Sequence, residues 1–243
     1  MKIDINCDVG EGEGNEQFLM PYISSCNIAC GGHFGNVNTI DKTIQLAIEN
    51  QVKIGAHPSF PDKENFGRKL MNISDEELKE SINSQLNLCK ERMSLVGAKL
   101  HHIKPHGALY NAIAVNEKLA VFFANLVKPY LKEAYLYVPY NSVIAKVALK
   151  KNITIKYEAF ADRNYNDDLT LVSRTKNNAL LVDKNEVLNH TLHMIKYQNV
   201  KTISDLEIPI KADTFCVHGD TKNAIEIVKF INKQLTEKGF SIG

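Results

Sequence analysis

The sequence predicts an α/β fold of the (β/α) barrel type, TIM-like, on three observations. Short β-rich runs alternate with longer helical patterns. Nearly every strand candidate is followed by a helix, the order that builds a parallel sheet with right-handed crossovers. The chain has 243 residues, a length at which α/β barrels occur as one domain. An open doubly wound sheet is the second choice.

The strand candidates are residues 2–8, 25–30, 53–57, 99–105, 134–138, 154–160, 179–182 and 213–217. The run at 179–182 is weak, so a distorted or seven-stranded barrel fits as well. The clearest helix begins after Ser74, where Ser74 and Glu77 form a capping-box pattern. Leu78, Ile82, Leu86, Cys89, Met93 and Val96 then recur every three or four residues, one buried stripe. Asp183 and Glu186 repeat the cap before Val187, Leu188, Leu192 and Ile195, and a last helix spans about 221–237. No linker, repeat or low-complexity segment marks a boundary within 1–243, so a single domain is expected.

Composition closes off several functions. A net charge of +1 gives no basic footprint for nucleic acid. No apolar run reaches the roughly 18 residues of a membrane span. Acids stand in the N-terminal stretch MKIDINCDVGEGEG where a secretion signal has its apolar core, so a cytoplasmic protein is expected. The five cysteines are scattered and odd in number, which suits reduced thiols.

Strand alternation locates the polar groups. In the first strand, Ile3, Ile5 and Cys7 share the face that meets helices; Asp4, Asn6 and Asp8 face the barrel axis. In HHIKPHGALYN, His102, Lys104 and His106 face inward, His101 faces the helices, and Tyr110 and Asn111 lie just beyond. Asn27, His57, Glu158, Asp162 and His218 lie on or just past other strands. An unsatisfied buried polar group costs about 1–3 kcal/mol, so such a cluster marks a site, and barrels keep theirs at the C-terminal strand ends. Gly31 and Gly32 precede His33, which allows close backbone approach. Arg68, Arg163 and Arg174 fall in loops and could fork onto a carboxylate or phosphate. GxxxxGK[ST] does not occur, and GEGEG lacks the dinucleotide spacing.

Seven stretches in order, DINCDVGEGEG, SCNIACGGH, IGAHPSFPD with NFGR, HIKPHGALYN, EAFADRNY, LVSR and CVHGD, resemble the LamB/YcsF family, the A subunits of 5-oxoprolinase. Gly32, Phe34 and Asn36 depart from the usual ACGFHAGD pattern of that family, which implies an altered pocket near His33. The resemblance implies a barrel related to the carbohydrate deacetylases. It also implies a bacterial enzyme that opens 5-oxoproline (pyroglutamate) to L-glutamate with ATP, in the presence of Mg2+, beside B and C subunits. Activating the lactam through phosphate needs a base, oxyanion donors and cations. Asp8 or His57 is the candidate base, and Lys104 and His106 are the candidates for charge stabilisation. Asn6, Asn27, His33, Arg68, His102, Tyr110, Glu158, Asp162, Arg163 and His218 are candidates for binding substrate. Two alternatives stand beside this reading. One is a metal-dependent amide hydrolase with Asp8, His33 and His57 as ligands of a divalent ion; the other is a partner subunit that binds a small molecule without turnover.

Overall fold

In the computed structural model, which describes residues Met1–Gly243, seven parallel strands close into a barrel. They are β1 (Ile5–Val9), β2 (Ser25–Ala29), β3 (Lys53–His57), β4 (His102–Ile103), β5 (Tyr135–Pro139), β6 (Ile155–Phe160) and β7 (Thr214–Val217). Each pairs with its neighbours in order, and β7 pairs with both β6 and β1 to close the ring. The main helices are α1 (Val37–Glu49), α2 (Asp75–Leu95), α3 (Gly107–Val115), α4 (Glu117–Val127), α5 (Val143–Lys150), α6 (Lys184–Tyr197) and α7 (Ala224–Glu237).

The period of two in the strands divides the barrel into two chemistries. Ile5, Cys7, Cys26, Ile28, Ile54, Ile103, Leu136, Val138, Phe215 and Val217 are buried in the apolar core that the helices complete. Ridge residues of α2 (Leu78, Ile82, Leu86, Cys89, Met93) join that core. The alternate positions fill the axis with polar groups. Near the strand starts, Asp4 Oδ1 accepts from Ser25 Oγ (2.8 Å) and Thr214 Oγ1 (2.7 Å), and Lys53 pairs with Asp4 Oδ2 at 3.1 Å. Beneath this layer Lys2–Ile3 pairs with Ser241–Ile242 and draws the two chain ends together.

Helix starts follow their caps. Ser74 and Glu77 exchange both bonds of the capping box ahead of α2. Asn36 and Thr39 do the same ahead of α1. Asp183 caps α6 alone, accepting from the Asn185 and Glu186 amides, without the reciprocal bond expected of Glu186.

Four expectations are corrected. Residues 179–182 form no barrel strand; Leu180 makes one antiparallel bridge to Arg163, because β7 already pairs with β6 and leaves no gap. The strand expected over 99–105 is regular only at His102–Ile103, since Pro105 cannot extend the ladder. Val96 is exposed, as α2 ends before it. His101 is half-buried at the start of β4, its Nδ1 2.9 Å from His102 Nδ1, rather than packed under a helix. An antiparallel hairpin, Asn199–Lys201 with Glu207–Pro209, also lies outside the barrel.

Candidate active site

Three tiers of polar side chains rise along the axis toward the C-terminal strand ends. The middle tier is a closed hydrogen-bond net. Asn6 Nδ2 donates to Glu158 Oε1 (2.9 Å) and Thr214 Oγ1 (2.8 Å), and Asn27 Nδ2 donates to Asn6 Oδ1 and Asp8 Oδ1 (both 2.7 Å). His102 Nε2 donates to Asn27 Oδ1 at 2.6 Å, and its ring stacks on Tyr137 at 3.8 Å. Burial holds His102 neutral, its pKa well below the usual histidine value. A Cβ on Gly55 would collide with the His102 ring, so this position admits only glycine.

Lys104 caps that net. Its Nζ lies 3.0 Å from Asp8 Oδ1, 2.9 Å from Glu158 Oε1 and 3.0 Å from Cys216 Sγ. Burial disfavours the ammonium, but Asp8, Cys216 and Glu158 outweigh it and hold the Lys104 pKa well above the usual lysine value. Burial likewise disfavours the Asp8 carboxylate, yet His57 and Lys104 keep its pKa well below the ordinary range. Asp8 Oδ1 is taken by Asn27 and Lys104, whereas Oδ2 meets only His57 Nε2, at 3.5 Å. Glu158 Oε2 and Tyr110 Oη are buried beside each other without a hydrogen-bond partner of good geometry.

The upper tier is a histidine cluster gathered around Glu11. Left-handed glycines flank Glu11 (Gly10 φ +70°, Gly12 φ +94°) and turn the loop back over the barrel mouth. Glu11 Oε1 lies 2.8 Å from His33 Nε2, 3.2 Å from His106 Nδ1 and 3.8 Å from His57 Nε2. The His33 and His106 rings stack at 3.7 Å. Burial lowers the His33 pKa to about 4. Gly32 leaves room for the buried Gln85 amide, which clasps Ser59 through two 2.9 Å bonds behind His33.

A cavity of about 820 Å³ opens above Lys104. Of the sequence candidates, Asp8, His57, Arg68, Lys104, His106, Tyr110, Glu158, Arg163 and His218 line it. Asn6, Asn27 and His102 lie below its floor, and His33 lies behind its wall, stacked on His106. Asp162 stands behind His218, accepting from the His218 amide (2.9 Å), from its ring Nδ1 (2.9 Å) and from Thr221 Oγ1 (2.6 Å). The candidate trio Asp8, His33 and His57 does not converge alone, because Glu11 stands against His33 while Asp8 turns to Lys104. Arg163 does not offer a free fork: it donates to the Val172 carbonyl at 2.6 Å and to the Ala179 carbonyl at 3.3 Å. Arg68 and Arg174 both pair with Asp220 at the cavity wall.

Sequence reasoning missed Glu11, Cys216 and Asp220 as site residues, whereas Arg174, singled out as a loop cation, does line the cavity. Glu11 was the one with a readable signal, an acid two residues past the end of a barrel strand between two glycines.

Known proteins share this architecture. The 5-oxoprolinase A subunit from Bacillus cereus is 39% identical over 246 residues, covering 99% of this chain and 97% of that protein. Its counterpart from Pyrococcus horikoshii is 38% identical, covering 100% and 97%. The crystal structure of a lactam utilization protein from Thermus thermophilus superposes with a TM-score of 0.92 at 32% identity, covering 100% of this chain and 99% of that one. A deacetylase solved with its substrate shares the fold alone, with a TM-score of 0.50, 14% identity and coverage of 99% and 86%. The model of the LamB/YcsF family matches residues 3–243, and the chain belongs to that family.

Proposed function

We propose that the chain is the A subunit of a 5-oxoprolinase, and that with B and C subunits it opens 5-oxo-L-proline to L-glutamate at the expense of ATP. The observation that carries this reading is the Lys104 ammonium, held between Asp8 and Glu158 on the floor of the cavity beside the unpartnered Tyr110 hydroxyl. The names borne by full-length relatives support the substrate.

Ring opening adds water across the lactam C–N bond. Hydroxyl goes to the carbonyl carbon, and nitrogen leaves with a proton. The amide is a poor electrophile, and ATP, with Mg2+, supplies the driving force: its γ-phosphoryl group passes to the lactam oxygen and ADP leaves, water adds at the carbon and the ring nitrogen departs with a proton to leave an acyl phosphate, and a second water releases phosphate and glutamate. Lys104 stabilises the negative charge that gathers on the oxygens of that carbon in a water-poor site, where a fixed cation acts most strongly. Asp8 Oδ2 is the carboxylate oxygen that neither Lys104 nor Asn27 occupies, so it orients the attacking water and receives its proton. Tyr110 Oη and Glu158 Oε2 supply a donor and an acceptor for the ring amide. At the wall, the substrate carboxylate competes with Asp220 for Arg68 and Arg174.

The test is glutamate release from 5-oxoproline by the purified chain, alone and with its B and C partners, with and without ATP. Glutamate formed only with ATP and partners supports the reading. A verified complex of all three subunits that releases none overturns it.

A further inference from the structure

Hydrogen bonds on the far side of two rings in the upper tier leave too few protons for the contacts on the near side. His57 Nδ1 lies 2.7 Å from the Lys104 carbonyl, and His106 Nε2 lies 2.9 Å from the Phe66 carbonyl. A carbonyl only accepts, so each of those nitrogens carries its ring's proton. In the neutral rings His57 Nε2 and His106 Nδ1 are then bare lone pairs, and they face each other at 2.9 Å. Glu11 Oε1, another acceptor, lies 3.2 Å from His106 Nδ1 and 3.8 Å from His57 Nε2. His33 Nε2 completes the group at 2.8 Å from Glu11, while His33 Nδ1 is buried with no partner. Lone pairs converge here, and only something positive placed among them makes the arrangement favourable.

We propose that Glu11 Oε1, His33 Nε2, His57 Nε2 and His106 Nδ1 form a binding site for one divalent transition-metal ion. These donors lie within 4.8 Å of one another. Metal bonds of about 2.0–2.1 Å in a tetrahedron place donors roughly 3.3 Å apart, and the measured separations scatter on both sides of that spacing. The backbone carbonyls behind His57 and His106 are the outer partners that orient imidazole ligands. Three imidazoles with one carboxylate favour a zinc-like ion over magnesium or calcium, which prefer all-oxygen shells. Asp8 stays outside the set, since Lys104 and Asn27 hold its Oδ1. His57 and His106 form the cavity wall, so the ion would sit within reach of a bound carbonyl and polarise it.

The test reads binding rather than turnover, so its failure is separable from failure of the oxoprolinase reading. The full chain is stripped with a chelator, then titrated with Zn2+ by calorimetry and with Co2+ by visible absorption. One equivalent of each, with Co2+ bands of a nitrogen and oxygen site, is the expected result. Glu11→Gln and His106→Asn should each weaken Zn2+ binding by ~100-fold or more, at or above the cost of losing an outer partner. Asp8→Asn should keep a stoichiometry of one. A folded wild-type chain that takes up no stoichiometric Zn2+ or Co2+ overturns the proposal, because a shared proton alone then holds the cluster. Loss of the ion in Asp8→Asn with full retention in Glu11→Gln overturns the ligand set. The wild-type titration decides the first point even where a variant fails to fold.

Discussion

A buried ammonium needs counter-charge, and Lys104 has two carboxylates within 3.0 Å. That arrangement keeps the cation charged in a position water hardly reaches. Tyr110 Oη, by contrast, is buried without a partner, and such a hydroxyl costs about 1–3 kcal/mol. Tyr110→Phe should therefore leave thermal stability unchanged or raise it while raising KM for the lactam; thermal melts and steady-state kinetics on the complete complex check both. Gly55→Ala should do the opposite. Its methyl would strike the His102 ring and break the Asn27 bond, costing ~2 kcal/mol or more in a urea melt. The inward set Asn6, Asp8, His102, Lys104 and His106 was readable because a strand alternates faces strictly. Glu11 was harder to place. Past Gly10 the period of two ends, and its position depends on two left-handed glycines whose angles no side-chain pattern records.

Elements that begin with a side-chain cap were legible for the same local reason: Ser74 and Glu77 signal α2 with their own hydrogen bonds. The run at 179–182 failed because strand identity there depends on a neighbour, and the ring had already closed through β6 and β7. That segment instead joins the excursion after β6, held by Arg163 on the Val172 and Ala179 carbonyls. Asp162 ties the same region to the end of β7. Burial pushes the Asp162 carboxyl up, but His218 and Thr221 outweigh it and hold the pKa below the usual value. A depressed folded pKa contributes stability above the unfolded value of about 3.9 and loses it as pH falls through the folded value. Asp162→Asn should thus be less stable than wild type at neutral pH, with the gap narrowing below about pH 4. Chemical denaturation across pH 3–7 reads that gap, and one that widens in acid would refute the assignment.

Across the whole molecule, the barrel separates a lower end closed by the paired chain ends from an upper end that opens into the cavity. Lys2–Ile3 and Ser241–Ile242 pair beneath the axis, far along the strands from Lys104 and the cavity. Deleting residues 241–243 should cost about 1–2 kcal/mol, a fall in Tm of roughly 2–8 °C, and leave KM for the lactam unchanged. The barrel class was readable from alternation and length, because seven of the eight strand candidates contribute to the ring. The pairing of the chain ends was not, since two-residue strands carry no period. No helix is long and apolar enough to cross a membrane.

In the proposed reaction Lys104 stabilises charge during lactam opening. The most direct measurement is kcat for glutamate release by the complete three-component complex carrying Lys104→Met, with circular dichroism and complex formation checked first. A loss of at least ~10²-fold in kcat is expected, the scale of removing one preorganised charge stabiliser. A folded, fully formed Lys104→Met enzyme that releases glutamate at the wild-type rate would contradict it.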